Sequence, residues 1–286
     1  MTPQSTADSL KHATAAELRA AIRAGEWSAP TTGLAIGYAQ TNVVILPADY
    51  AAEFAEFCRL NARPCPLVAQ TAPGDPCPSD VAPDADLRTD VPRYRVFRHG
   101  VPEAAEPTDI RDLWRDDLVG FLLGCSFTFE HALVAAGLPV RHLEEGRNVP
   151  MYRTNIACQP AGRFHGPMVV SMRPYARQHL RDVAAISGQF PTMHGAPVHV
   201  GDPAALGITQ LDRPDFGDAV TMRAGEVPVF WACGVTPQLA LAQAQPELCI
   251  THSPGCMFVT DRSDESFRRI GPLEKGTGSE PFQTSI

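Results

Sequence analysis

The stretch FLLGCSFTFEHALVAAG, residues 121–137, runs apolar into a Gly-Cys-Ser turn and then directly into helical spacing. An apolar run, a tight turn and a helix in succession is a building unit of α/β layers. The plan occurs twice more: PMVVSM-RP-YARQHLRDVAAI from residue 167, and VPVFWAC-GVT-PQLALAQA from residue 227. Each copy leaves the first helical amides without intrahelical acceptors and turns the positive end of a helix toward a strand end, which suits an anion. Thr236 before Pro237 reads as a hydroxyl cap followed by proline at the first helical position. Ordinary capping explains any one of these; three together point to a site that holds carboxylates.

Two side chains lie within the first turn. Cys125 is either a nucleophile whose thiol pKa the helix end lowers or a small residue that lets backbone approach a ligand closely. Ser126 opens the helix, and Glu130 on its first turn either moves protons or complements the dipole. Arg153 in MYRTNI and Arg173 in VSMRP stand near the other turns within apolar strands, where a guanidinium needs an acidic partner or an anionic ligand. Asn155 and Ser171, each two residues away, share a strand face with them. His252 in THSPG sits at a strand end, placed to act as an acid or base.

Outward from these segments, helices and strands alternate irregularly. Residues 9–24 have helical spacing, with Thr14 and Glu17 as a capping box. A strand at 42–46 leads into a helix whose Tyr50, Phe54, Phe57 and Cys58 share one face. Residues 64–92 are rich in Pro and Asp and read as an extended connection. Residues 93–98 alternate like a strand, and 109–122 carry apolar residues at helical spacing. Further strands are expected at MYRTNIA, PVHV, LCIT and CMFVT. The pattern predicts an α/β fold: a mixed sheet with irregular, Pro-rich connections, in two intimately packed subdomains. Residues 1–261 form one domain, and 262–286 a polar, loosely held tail.

The 24 Lys and Arg against 32 Asp and Glu give a net charge of −8, which supplies no basic field for nucleic acid or anionic lipid. No apolar run reaches the ~20 residues of a membrane helix, and the N-terminus has no secretory pattern, so a cytoplasmic protein is expected. The eight cysteines are dispersed and none forms C-x-x-C. His194, His199, Asp202 and His252 match no metal-ligand spacing, and no Gly-rich dinucleotide or phosphate loop is present. The expectation is therefore no metal and no organic cofactor.

Six ordered blocks, GCSFTFE, RNVPMYRTNI, GPMVVSMRP, HGAPVHVGDP, ACGVTPQ and THSPGCMFVTD, resemble the bacterial hydro-lyase family that is similar to the D-glutamate cyclase domain of animal mitochondria. The likeness spans about residues 17–261. It implies loss of water from a small amino or hydroxy acid, with closure of D-glutamate to 5-oxo-D-proline as the best-defined case. In that chemistry Glu130 and His252 would move protons, and Cys125, Ser126, Arg153, Asn155, Ser171, Arg173 and Thr236 would bind substrate. Because the substrate amine is the nucleophile, Cys125 reads as a turn residue that admits the ligand. β-Elimination of water from a hydroxy acid and a non-catalytic carboxylate-binding protein are the competing readings. The expected partner is the small acid itself, with room for a homo-oligomer.

Overall fold

The computed structural model describes residues 3–269. The chain opens with α1 (Pro3–Leu10) and α2 (Ala15–Arg23). Thr14 begins α2 through a complete capping box with Glu17, so the spacing over 9–24 resolves into two helices. Then come β1 (Tyr38–Pro47), α3 (Ala48–Leu60), β2 (Leu67–Gln70), β3 (Tyr94–Arg98), β4 (Val101–Pro102), β5 (Leu118–Gly124), α4 (Phe127–Ala135) and α5 (Arg141–Glu144). The second half supplies β6 (Met151–Ala157), β7 (Pro167–Ala176), α6 (Leu180–Gly188), β8 (His199–Val200), β9 (Glu226–Ala232), α7 (Thr236–Ala244), β10 (Cys249–His252) and β11 (Phe258–Ser263).

Two sheets result. One has the order β2-β5-β1-β10-β3-β4, with β11 also pairing β1; the other has the order β6-β7-β9-β8. The α/β architecture holds, but every described strand pairing is antiparallel rather than mixed in direction. The sheets share one core: Leu46, Val119 and Phe121 of the first pack in the same cluster as Val170, Met172 and Phe230 of the second. Phe54 and Phe57 of α3 join it, with Phe54 edge-on to Phe121 at 4.9 Å. Burial of such side chains, at ~1.5–3 kcal/mol each, is what joins the layers.

Three sequence expectations change. Residues 109–122 are not a helix: Arg111–Leu113 form a single 3-10 turn and Leu118–Gly124 form β5. All seven residues of β5 are buried, with Val119, Phe121 and Leu123 in the shared core and Leu118 and Leu122 in the core on the opposite face. A strand covered on both faces shows no alternation, so its apolar run imitates a buried helix.

The second strand-turn-helix copy also dissolves. β7 continues through Arg173, Pro174 and Tyr175, with Pro174 opposite Pro228 of β9. α6 starts only at Leu180, after a 3-10 turn at Arg177–His179. Finally, the first residues of the expected tail are held: β11 reaches Ser263, and Asp264 accepts a 2.7 Å hydrogen bond from Thr128 of α4. The remainder from residue 270 lies outside the described residues.

Candidate active site

A cavity of about 460 Å³ opens where the ends of the two sheets meet, within the size range of small-molecule sites. Two turns line it. Cys125, Ser126 and Phe127 come from the β5–α4 junction; Cys233, Gly234 and Val235 come from the β9–α7 junction. Ser126 precedes α4 and Val235 precedes α7, and neither makes a side-chain cap hydrogen bond. Two helix N-termini therefore reach the cavity without a cap from Ser126 or Val235; the Thr236 amide opening α7 turns back to the Cys233 carbonyl at 3.0 Å, and the Phe127 amide opening α4 lies against the Cys125 sulfur. Thr236 is not the cap that the sequence predicts: its hydroxyl accepts from the Val169 amide at 2.9 Å, tying α7 to β7.

Behind the first turn lies a buried ion pair. Arg173 is fully buried on β7, the strand between β6 and β9. Its Nε donates to Glu130 Oε1 at 2.9 Å, and its Nη2 pairs closely with the same oxygen. Nη2 also donates to Ser126 Oγ at 3.0 Å, Nη1 donates to Ser171 Oγ at 3.0 Å, and Ser126 donates to Glu130 at 3.1 Å. The guanidinium lies 5.3 Å from the Phe129 ring centroid and 5.2 Å from that of Trp231, a favourable seat for a desolvated cation.

Burial opposes ionisation of Glu130, but Arg173 and His142 outweigh it and hold the carboxyl well below its usual range. Ser126, Ser171 and His142 line the cavity, whereas Glu130 and Arg173 stand behind them. The charge of Arg173 is thus spent on Glu130, and the cavity meets the two serine hydroxyls that it orients.

Arg153 does not join this cluster. It lies on β6 at the sheet edge with its side chain 56% exposed, 4.0 Å from Asp215 and stacked over Phe216 at 5.4 Å. Asn155, on the same edge strand, packs toward Gly207. The two arginines that look alike in sequence hence serve different surfaces, and the expectation that they converge fails because one strand is central and the other is an edge.

His252 does line the cavity. The Val43 amide donates to its Nδ1 at 3.1 Å, leaving the ring proton on Nε2, and burial pushes its pKa down to about 4. His194 is likewise held down to about 4 by burial, with Nδ1 2.8 Å from the Arg63 carbonyl. His194, His199 and Asp202 do not come together as ligands: His199 Nε2 meets the Asp202 backbone carbonyl at 2.7 Å, and the Asp202 carboxylate caps the turn at Ala204.

The thiols behave unlike ordinary helix-end cysteines. Burial pushes Cys125 up to about 12 and Cys233 up to about 11, although an amide beside each sulfur, from Phe127 and Val235 respectively, acts in the other direction. Desolvation exceeds the helix effect, so both remain S–H at neutral pH. The sequence reading missed His142, a nearly buried residue of the one-turn α5 that lines the cavity 3.4 Å from Glu130 Oε2. Nothing in its spacing marks it.

Residues 119–261 match the D-glutamate cyclase family. The chain is also 59% identical over 251 residues to a Bacillus licheniformis protein, covering 88% of this chain and 95% of that one. The chain belongs to the D-glutamate cyclase family. A Rubrobacter xylanophilus relative is 60% identical over 253 residues, covering 88% of this chain and 97% of its own length. One from Bordetella petrii is 57% identical over 248 residues, covering 87% and 94%. All three carry the name "Putative hydro-lyase". The family match contains both cavity turns, Glu130, His142, Ser171, Arg173 and His252, while Asn42 of β1 lies before it. Among the described residues no helix is long and apolar enough to cross a membrane.

Proposed function

We propose that this chain is a hydro-lyase acting on a small acid, and that its substrate is D-glutamate, closed by its own amine to 5-oxo-D-proline. The observation that carries the reading is that two helix N-termini, neither with a hydrogen bond from its N-cap side chain, line one cavity. An acid with a carboxyl group at each end of a short chain is the matching ligand, one group for each set of turn amides. Family membership and the hydro-lyase names of the relatives support the same direction.

Ring closure needs the two ends of glutamate folded toward each other, which binding between fixed turns supplies. The side-chain carboxyl takes the β5–α4 end, where the Ser171 hydroxyl, whose proton is free because Arg173 donates to its oxygen, and the first amides of α4 stabilise the oxygen that becomes tetrahedral. The α-carboxylate takes the Gly234–Val235 end. Arg173 and Glu130 act from behind, holding both serines in place. With Cys125 protonated, the substrate amine attacks directly and no acyl-enzyme forms.

The test is incubation of the pure protein with D-glutamate, L-glutamate and a panel of hydroxy acids, with mass detection of lost water. Formation of 5-oxo-D-proline from D-glutamate is the expected result. Loss of water from a hydroxy acid alone would favour β-elimination, and tight binding without turnover would favour a carboxylate-binding protein.

A further inference from the structure

His142 stands apart from the other cavity histidines. His252 has its Nδ1 occupied by the Val43 amide, and His194 has its Nδ1 against the Arg63 carbonyl. The His142 side chain is only 4% exposed; its Nε2 faces Glu130 Oε2 at 3.4 Å, and its Nδ1 has no hydrogen-bond partner among the described residues. A buried polar group left unpaired costs ~1–3 kcal/mol, and folded proteins seldom tolerate it without a use.

The backbone beneath the ring is firmly held. Neighbouring Arg141, also buried, donates to Glu226 of β9 at 2.6 Å, to the Thr221 carbonyl at 2.7 Å and to Glu144 at 3.1 Å. α5 is thereby anchored while Nδ1 of the imidazole beside it is left unbonded. Glu130 completes the arrangement: Arg173 and Ser126 occupy its Oε1, and its Oε2 faces His142 Nε2 at 3.4 Å.

We infer that His142 is the proton carrier of this cavity and that Glu130 positions its ring and balances the charge it gains. The inference rests on the dehydration proposed above and names the group that makes it work. In closing D-glutamate, the nitrogen loses two protons, a C–N bond forms to the side-chain carboxyl carbon, and one C–O bond of that carboxyl breaks. The departing oxygen takes both protons and leaves as water. His142 accepts each proton from nitrogen and passes it to that oxygen, ending in the state in which it began. A carboxylate beside an imidazole stabilises the imidazolium formed midway, as in a catalytic triad. Glu130 suits this role because it stays ionised.

The test combines kinetics with nuclear magnetic resonance on the full chain. His142→Gln should lower kcat by about a hundredfold or more, leave KM within about threefold and keep the wild-type unfolding midpoint. Added imidazole should restore part of the activity to His142→Ala. In the wild type, glutarate, a five-carbon diacid that lacks the amine, should move the ring resonances assigned to His142 by their loss in His142→Gln. An active wild type with an unimpaired His142→Gln, or ring resonances that glutarate leaves in place, would overturn the role of His142 alone. A wild type that binds glutarate and moves those resonances yet dehydrates no acid would overturn the reaction and the proton-carrying role together.

Discussion

The β5–α4 and β9–α7 turns are built to one plan and differ in what stands behind them. Each runs from a buried strand through a cysteine into a nine-residue helix without a side-chain cap. Behind the first stand Glu130 and Arg173, with Ser126 and Ser171 between the ion pair and the cavity. Behind the second the polar link is neutral, the Thr236 hydroxyl on the Val169 backbone. The shared plan supplies two places for carboxylates. The ion pair makes one of them a place where protons and a developing oxyanion can be handled.

The largest effect should follow from removing what distinguishes the two ends. Arg173→Met leaves Glu130 buried without its partner and should cost ~3–5 kcal/mol in denaturant unfolding. Activity should be lost with it. Arg173→Lys, which keeps the charge but not the fork that reaches both serines, should recover stability better than activity.

Next come the glycines of the two turns. A Cβ on Gly124 would lie 2.2 Å from the Thr192 carbonyl oxygen, whereas one on Gly234 would lie 2.9 Å from the Asn42 side-chain amide. Backbone cannot yield as a side chain can, so Gly124→Ala should cost ~2–3 kcal/mol and Gly234→Ala less than ~1 kcal/mol. Equal losses in thermal unfolding would show that the second turn is as tightly packed as the first.

Acid should probe the same packing. His194 and His252 are held neutral down to about 4 in the fold, so below the ordinary histidine range the unfolded chain binds protons that the folded chain refuses. Stability therefore falls as pH drops from about 6.5 toward 4, by roughly 2 kcal/mol per histidine at about pH 5. Glu130 adds to this loss only toward the acid end of that window, where the unfolded carboxyl takes up a proton that the folded one, held ionised by Arg173 and His142, refuses. Replacing either histidine with Gln should flatten the decline of unfolding free energy between neutral pH and pH 5.

The smallest effect is expected at the cysteines. Cys125→Ser keeps size and should retain activity within about threefold, whereas Cys125→Leu should fill the turn and abolish it. An inactive, folded Cys125→Ser together with a trapped acyl adduct would restore the nucleophile reading.

Much of this arrangement is legible in the sequence, and the failures share a cause. Both cavity turns, the capping box at Thr14 and the strands at 93–98 and 151–157 follow from local pattern alone. What local pattern cannot supply is the position of a strand in its sheet. β5 is covered on both faces and so imitates a helix. Arg153 and Arg173 look equivalent until β6 is seen to be an edge and β7 to be flanked by β6 and β9. Thr236 looks like a cap because its best partner, Val169, is 67 residues away. His142 carries no signal, since its contact with Glu130 and its unpaired Nδ1 arise only in the folded chain.

The central claim is that the two turns hold the two ends of one diacid, and a crystal structure with glutarate tests it most directly. One carboxylate should meet the amides at Ser126 and Phe127 with the Ser171 hydroxyl, and the other should meet the amides at Gly234 and Val235. Glutarate bound instead at Arg95 and Arg147, the arginines that line the cavity, with both turns unoccupied, would contradict the account.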